Sequence, residues 1–213
     1  MGSIQSDYER EIAQFGWDPR KADPSRLPGL VVFDLDFTLW PLWVDTHLDS
    51  EPVKYGSHTT TLLDIHGQEL KLYRDVPAIF NLIKQLPNTR IAVASRTHTP
   101  ARANKALRMM KISKVYDHDG GLSLLSGASG PADKLVPLED FIDYCQIYPG
   151  SKVKHFQNIH NNSRVAYASM LFFDDEMRNE QVAKKLGVTF RLVDGPLRFV
   201  DVLDALKKFC QAP

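Results

Sequence analysis

Residues 29–43 read Gly29-Leu-Val-Val-Phe-Asp-Leu-Asp-Phe-Thr-Leu-Trp-Pro-Leu-Trp43, and the reading of this stretch decides the fold. Leu30, Val31, Val32 and Phe33 form a short continuous apolar run bounded by Pro28-Gly29. Such a run fits a strand buried on both faces of a parallel sheet. Asp34 and Asp36 follow at once, where the carboxyl end of the strand would lie. In open α/β sheets that edge is where ligands bind. Leu35 would point away, so both carboxylates can face one crevice. Thr38 completes the pattern Asp-x-Asp-x-Thr.

Paired carboxylates at this spacing suit phosphoryl transfer through a covalent intermediate. The first can attack phosphorus and form an aspartyl-phosphate. The second can protonate the departing oxygen and later deprotonate the attacking water. A hard cation is needed to bring two anions together, and an oxygen ligand set selects magnesium. The competing reading is a pair of solvated acids in a turn; the position directly after an apolar strand argues against it.

Working outward, the 213 residues suit one domain with a sizeable core, and 43% hydrophobic content is ordinary for a globular chain. Lys plus Arg and Asp plus Glu both number 26, so no global field draws nucleic acid or an acidic membrane. Cys145 and Cys210 make neither a disulfide framework nor a zinc signature. Reduced thiols in a cytoplasmic or nuclear setting are expected. No apolar stretch approaches the roughly 20 residues of a membrane span, and no signal-peptide pattern is present. Met1-Gly2-Ser3-Ile4-Gln5-Ser6 matches an N-myristoylation pattern, but Asp7, Glu9 and Glu11 follow where a basic patch would help one acyl chain to hold.

Residues 1–28 read as an N-terminal arm, with a short helix near residues 8–15 and then Pro19, Pro24 and Pro28. Residues 44–74 are polar, and Leu62, Ile65, Leu70 and Leu72 flank a turn at His66-Gly67, which predicts a small hairpin flap rather than a cap domain. Asp75 is expected to cap a helix that starts near Pro77. A strand over 90–94 delivers Ser95-Arg96-Thr97, and Thr99-Pro100 caps the helix after it. A third strand is expected near 114–116. The stretch 118–133, with Gly120-Gly121, Ser126-Gly127 and Ser129-Gly130-Pro131, reads as a surface loop. Lys152 opens a helix after Pro149-Gly150-Ser151. Residues 169–173 form a strand ending in Asp174-Asp175; a helix over 176–186 stops at Gly187. Another strand (188–193) and a closing helix (200–209) complete an alternation that builds a parallel sheet from right-handed crossovers. The domain is expected to span 29–210.

Three further polar clusters fall at these strand ends and helix starts. The Ser95 hydroxyl and nearby backbone N–H groups can hold a phosphate oxygen, although a helix-entry serine reads equally well. Arg96 offers a planar fork for phosphate or for the rest of a substrate. Lys152 can offset the charge of Asp34 and a phosphoryl group, with Lys154 as a rival. Asp174 and Asp175 can complete an oxygen shell for magnesium, or serve as an N-cap pair. One site explains all of them together.

Asp34-Leu-Asp-Phe-Thr-Leu, Ser95-Arg-Thr, Lys152 and Phe172-Phe-Asp-Asp resemble the four ordered motifs of the haloacid dehalogenase superfamily of phosphatases. The chain is most similar to the eukaryotic magnesium-dependent phosphatase family, through residues 33–47, 94–97, Ile147-Tyr-Pro-Gly-Ser-Lys152, Phe172-Phe-Asp-Asp-Glu-Met-Arg-Asn179 and Leu186-Gly-Val-Thr189. The resemblance implies a Rossmannoid three-layer α/β sandwich. It implies Asp34 as nucleophile and magnesium ligand, and Asp36 as acid/base that ligates through its backbone carbonyl. Asp175, with Asp174 helping, would complete the metal shell. The Leu35 backbone, Ser95, Arg96 and Lys152 would hold phosphate, and Trp43 and Arg96 would touch the leaving group. It selects Lys152 over Lys154, because the family's lysine follows Pro-Gly-Ser. The expected substrates are phosphotyrosine in proteins, or phosphorylated small molecules such as sugar and fructosamine phosphates. Two alternatives are a serine/threonine phosphatase similar to the small C-terminal-domain phosphatases, which Trp40-Pro41-Leu42-Trp43 argues against, and an inactive phospho-ligand binding module, which would need neither Asp34 nor Asp36.

Overall fold

The computed structural model describes residues 4–114 and 134–212. In chain order the elements are α1 (Ile4–Phe15), β1 (Leu30–Phe33), α2 (Val44–His47), β2 (Lys54–Tyr55), β3 (Thr61–Leu63), β4 (Glu69–Lys71), α3 (Val76–Lys84), β5 (Arg90–Ser95) and α4 (Pro100–Met109). They continue with β6 (Lys111–Lys114), β7 (Lys134–Pro137), β8 (Tyr144–Ile147), α5 (Lys152–Ser163), β9 (Met170–Asp174), α6 (Gln181–Leu186), β10 (Thr189–Leu192) and α7 (Phe199–Gln211).

The central sheet runs β10-β9-β1-β5-β8, every pair parallel. β1 is its middle strand and is buried along its whole length. Successive strand side chains point to opposite faces, and the run Leu-Val-Val-Phe feeds two cores. Val31 and Phe33 join the layer built with Phe80, Leu107 and Phe199 from α3, α4 and α7. Leu30 and Val32 join the other, with Phe156 and Ile159 of α5 and Val182 of α6. The result is a three-layer α/β sandwich, as the apolar run implies. The chain leaves β1 for β5 and β8 on one side, then returns to β9 and β10 on the other. That reversal opens a crevice at the carboxyl ends of β1 and its neighbours.

Several local expectations change. Of the strand expected near 114–116 only Lys114 lies among the described residues; it belongs to β6, which pairs antiparallel with β7 outside the central sheet. Only Ile112 of β6 is buried, so it cannot be an interior strand; β8 takes the place beside β5 instead. Asp75 does not cap α3 with its side chain. Its carboxylate accepts hydrogen bonds from the Tyr8 hydroxyl at 2.8 Å and the Phe199 N–H at 3.0 Å. Likewise, Thr99 makes no side-chain cap at α4. The helix expected over 176–186 begins as a 3₁₀ turn, Met177–Glu180, before α6; Gly187 closes it with a left-handed φ of 80°.

The first helix starts earlier than expected, at Ile4, and belongs to the core: Tyr8 and Ile12 are buried, with the Tyr8 and Phe199 rings 4.8 Å apart. The predicted flap is a three-stranded antiparallel sheet, β2-β3-β4, in which Leu62 and Leu70 are buried while Ile65 is exposed. It is tied down by Tyr55, whose hydroxyl donates to Met109 O at 2.6 Å, and by the Lys111 N–H, which donates to Thr59 O at 2.9 Å. Stretch 118–133 lies outside the described residues.

Candidate active site

Asp34 follows β1 directly, its N–H extending the ladder to Phe173 O at 2.9 Å. The backbone then turns sharply. Leu39 N–H reaches Leu35 O at 2.8 Å, and Phe37 takes a left-handed φ of 56°. A bulky side chain rarely adopts that conformation, which marks a constrained turn. The turn brings Asp36 back beside Asp34. The Asp36 Oδ1 accepts from Trp40 Nε1 at 2.7 Å and from the Val44 N–H at 3.3 Å.

Lys152 opens α5 beneath the crevice, its N-terminus capped by Ser151. Its side chain is only 1% exposed. The ammonium lies 2.6 Å from Asp34 Oδ1 and 2.9 Å from Asp174 Oδ2, and it also donates to Ala94 O. Burial disfavours the charged lysine, but Asp34 and Asp174 outweigh it and hold its pKa above the usual value. Asp174 is the last residue of β9. One carboxylate oxygen each of Asp34, Asp174 and Asp175 lie within 4.8 Å of one another.

Four carboxylates therefore face one buried ammonium, and the imbalance shows in their acidity. Burial, with the Asp174 charge added, pushes Asp34 well above the usual range. Burial also lifts Asp36 to about 6 against its hydrogen bonds from Trp40 and Val44. Burial and then the Asp174 charge lift Asp175 to about 6. Excess negative charge on oxygen donors in a low-dielectric crevice fits a hard divalent cation, which would favour the ionised form of the side chains that ligate it, Asp34 and Asp175.

Asp34, Asp36, Trp43, Ser95, Arg96 and Asp175 line a cleft of about 280 Å³, and Lys152 and Asp174 lie buried behind Asp34, joined to it through the Lys152 ammonium. Ser95 ends β5, and its Oγ accepts the Thr97 N–H at 3.3 Å, leaving its own proton to donate. Arg96 sits on the wall. Leu35 is fully buried and does not line the cleft. Trp43 is 45% exposed at the rim. Its ring stacks on His47 with centroids 5.7 Å apart and meets Phe37 edge-on at 5.0 Å.

The structure adds residues that sequence reasoning missed. Asp45 accepts the His98 N–H at 3.0 Å and stitches α2 to the loop carrying Ser95 and Arg96. Arg102 of α4 donates to Val44 O, Leu48 O and Asp49 O around the end of α2. Asn179, fully buried, donates to Asp174. No local pattern announces these links, because each partner lies in a different segment or turn.

A profile of the Acid Phosphatase family matches residues 26–212. A HAD-like hydrolase superfamily protein of Schizosaccharomyces pombe is 41% identical over 166 residues, covering 76% of this chain and 84% of its own. Magnesium-dependent phosphatase 1 of Homo sapiens is 34% identical over 188 residues, covering 88% of this chain and 90% of its own. Among solved structures, a HAD-superfamily hydrolase from Ehrlichia chaffeensis superposes with a TM-score of 0.50 at 12% identity, over 87% of this chain and 97% of that one, which shows a shared fold. With its family profile matched over nearly the whole described fold and its acidic site at the matching strand ends, the chain belongs to the acid phosphatase family, among the magnesium-dependent phosphatases of the haloacid dehalogenase superfamily.

Proposed function

We propose that the chain is a magnesium-dependent phosphomonoester hydrolase that works through an aspartyl-phosphate on Asp34. The observation that carries this reading is the buried Lys152 ammonium, held between Asp34 and Asp174 behind a cleft that Asp34, Asp36 and Asp175 line. In this reading Asp34, Asp175 and the Asp36 backbone carbonyl hold magnesium. Asp174 stands beside them; its share in the shell competes with its bond to Lys152. When bound, magnesium offsets the charge between the attacking carboxylate and the phosphate.

The chain's own residues divide the work. Lys152, the Ser95 hydroxyl and the Leu35 backbone hold the phosphate oxygens with Asp34 facing phosphorus. Asp34 forms the new P–O bond while the ester P–O bond breaks. Asp36, with its pKa lifted to about 6, is protonated often enough near neutrality to hand its proton to the leaving oxygen. The resulting carboxylate then takes a proton from the water that attacks the phosphoenzyme, and Asp34 is released.

The leaving group would lie against Trp43 and Arg96 in a cleft that no cap domain covers among the described residues. An exposed indole with one face backed by His47 favours aryl esters, phosphotyrosine in proteins among them. The Arg96 fork suits oxygen-rich leaving groups such as sugar or fructosamine phosphates. A reducing cytoplasmic or nuclear setting suits the two free thiols, Cys145 and Cys210. The deciding experiment is turnover of p-nitrophenyl phosphate with and without magnesium, followed by a panel of phosphotyrosine peptides and sugar phosphates. Magnesium-dependent turnover is expected; undiminished turnover after exhaustive chelation would overturn the reading.

A further inference from the structure

We propose that Asn179 is a positioning residue for this site: its side-chain amide locks the Asp174 carboxylate, and through it the Lys152 ammonium that holds the phosphate oxygens. Asn179 lies in the 3₁₀ turn Met177–Glu180 and is fully buried. Its Nδ2 donates to Asp174 Oδ1 at 2.8 Å and to Oδ2 at 3.0 Å, with Glu176 Oε2 at 3.2 Å. The Glu176 N–H adds a bond to Asp174 Oδ1 at 2.8 Å, and Lys152 Nζ takes Oδ2 at 2.9 Å.

Each Asp174 oxygen thus has two donors, which fills its lone-pair capacity. The carboxylate cannot swing without breaking bonds in a site where Asp174 is itself fully buried. Remove the amide, and Oδ2 keeps only Lys152 while Oδ1 keeps only the Glu176 N–H. Asp174 is then free to rotate, and repulsion from Asp34 and Asp175 biases where it settles. Lys152 follows it, because its ammonium is shared between Asp174 and Asp34. An amide is the donor that suits this position. It fixes Asp174 without adding positive charge, so the acidic site keeps its attraction for a cation, whereas a lysine or arginine here would spend that attraction.

The inference rests on the phosphatase reading, and the two can fail separately. The test compares the wild type with Asn179→Asp, which preserves shape but turns the donor toward Asp174 into an acceptor. Calorimetric titration with inorganic phosphate in the presence of magnesium reads the anion site, and p-nitrophenyl phosphate reads turnover. Asn179→Asp is expected to weaken phosphate binding by about tenfold or more and to lower kcat by about 10–100-fold, the usual scale for outer partners of a metal site. Binding and turnover within about twofold of wild type would overturn the proposal. Where Asn179→Asp does not fold, Asn179→Ala, which adds no charge, is held to the same comparison. On the unaltered chain, the side-chain amide NMR signals of Asn179 are expected to move when phosphate binds, and static signals would also overturn it. If instead the phosphatase reading is wrong, the wild type itself neither binds phosphate nor turns over ester.

Discussion

Trp40 Nε1 donates to Asp36 Oδ1 at 2.7 Å, the shortest side-chain bond that the acid/base candidate makes. The indole is fully buried, so the bond is shielded from water and fixes which way the carboxylate turns. Trp40→Phe keeps an aromatic in the core but removes the donor. It is expected to slow hydrolysis of alkyl phosphates by about tenfold more than that of p-nitrophenyl phosphate, since only the poor leaving group needs the proton that Asp36 supplies. Equal losses on both esters, measured as kcat, would mean that Trp40 serves packing alone.

Asp34→Asn is expected to abolish turnover, because an amide oxygen is a poor nucleophile toward phosphorus. The fold is expected to survive: the volume is nearly unchanged, and Lys152 retains Asp174 and the Ala94 carbonyl. Beryllofluoride is expected to be captured by the wild type and refused by the variant. Retention of even a tenth of the wild-type rate, with a normal melting curve, would rule out a covalent route through Asp34.

Tyr8 carries a structural prediction. Its hydroxyl donates to Asp75, whose other oxygen caps the N-terminus of α7 through the Phe199 N–H. Burial and then the Asp75 hydrogen bond push the Tyr8 pKa above its ordinary value, so the phenol stays a donor. Tyr8→Phe removes one bond to a charged acceptor and is expected to cost about 1.5–3 kcal/mol. Urea denaturation measures this as a lowered midpoint with unchanged slope. An unchanged midpoint would mean that the Tyr8–Asp75 bond contributes nothing to the stability of the domain.

The contrast between Asp34 and Asp75 shows what the sequence makes legible. Asp34 follows an apolar run with no room for another turn, so its place at a sheet edge follows from local pattern, and Lys152 is similarly marked by Pro149-Gly150-Ser151. Asp75 looked like a helix cap because local spacing allows it. Its real partners are 67 and 124 residues away, and nothing nearby encodes them. Asn179 closes the run from Phe172 that carries the family resemblance, but its role was not legible: five residues from Asp174, across a 3₁₀ turn, it matches no regular helix or strand spacing. The edge strand β8 was missed because only Ile147 of its four residues is buried, which leaves almost no apolar signal to read.

The last prediction couples the cation to pH. Asp36 and Asp175 titrate near 6 in the folded chain against an ordinary aspartate value of 3.8, and Asp34 is raised as well. Between those values the folded state holds more protons than the unfolded state. Stability of the cation-free protein from these groups is therefore greatest below the ordinary aspartate pKa and is lost as pH rises through about 6. His155 works in the opposite direction. Burial lowers its pKa to about 4, so its contribution is full above its ordinary value of 6.5 and is lost as pH falls toward 4. Magnesium binds the ionised carboxylates of Asp34 and Asp175 and must displace their protons at low pH. The rise in melting temperature on adding magnesium is expected to be small near about pH 5 and to grow toward about pH 7.5. Asp175→Asn removes one of the titrating ligands and is expected to shrink both the rise and its pH dependence. A magnesium effect equal at both pH values, or larger in acid, would mean that these carboxylates do not hold the cation.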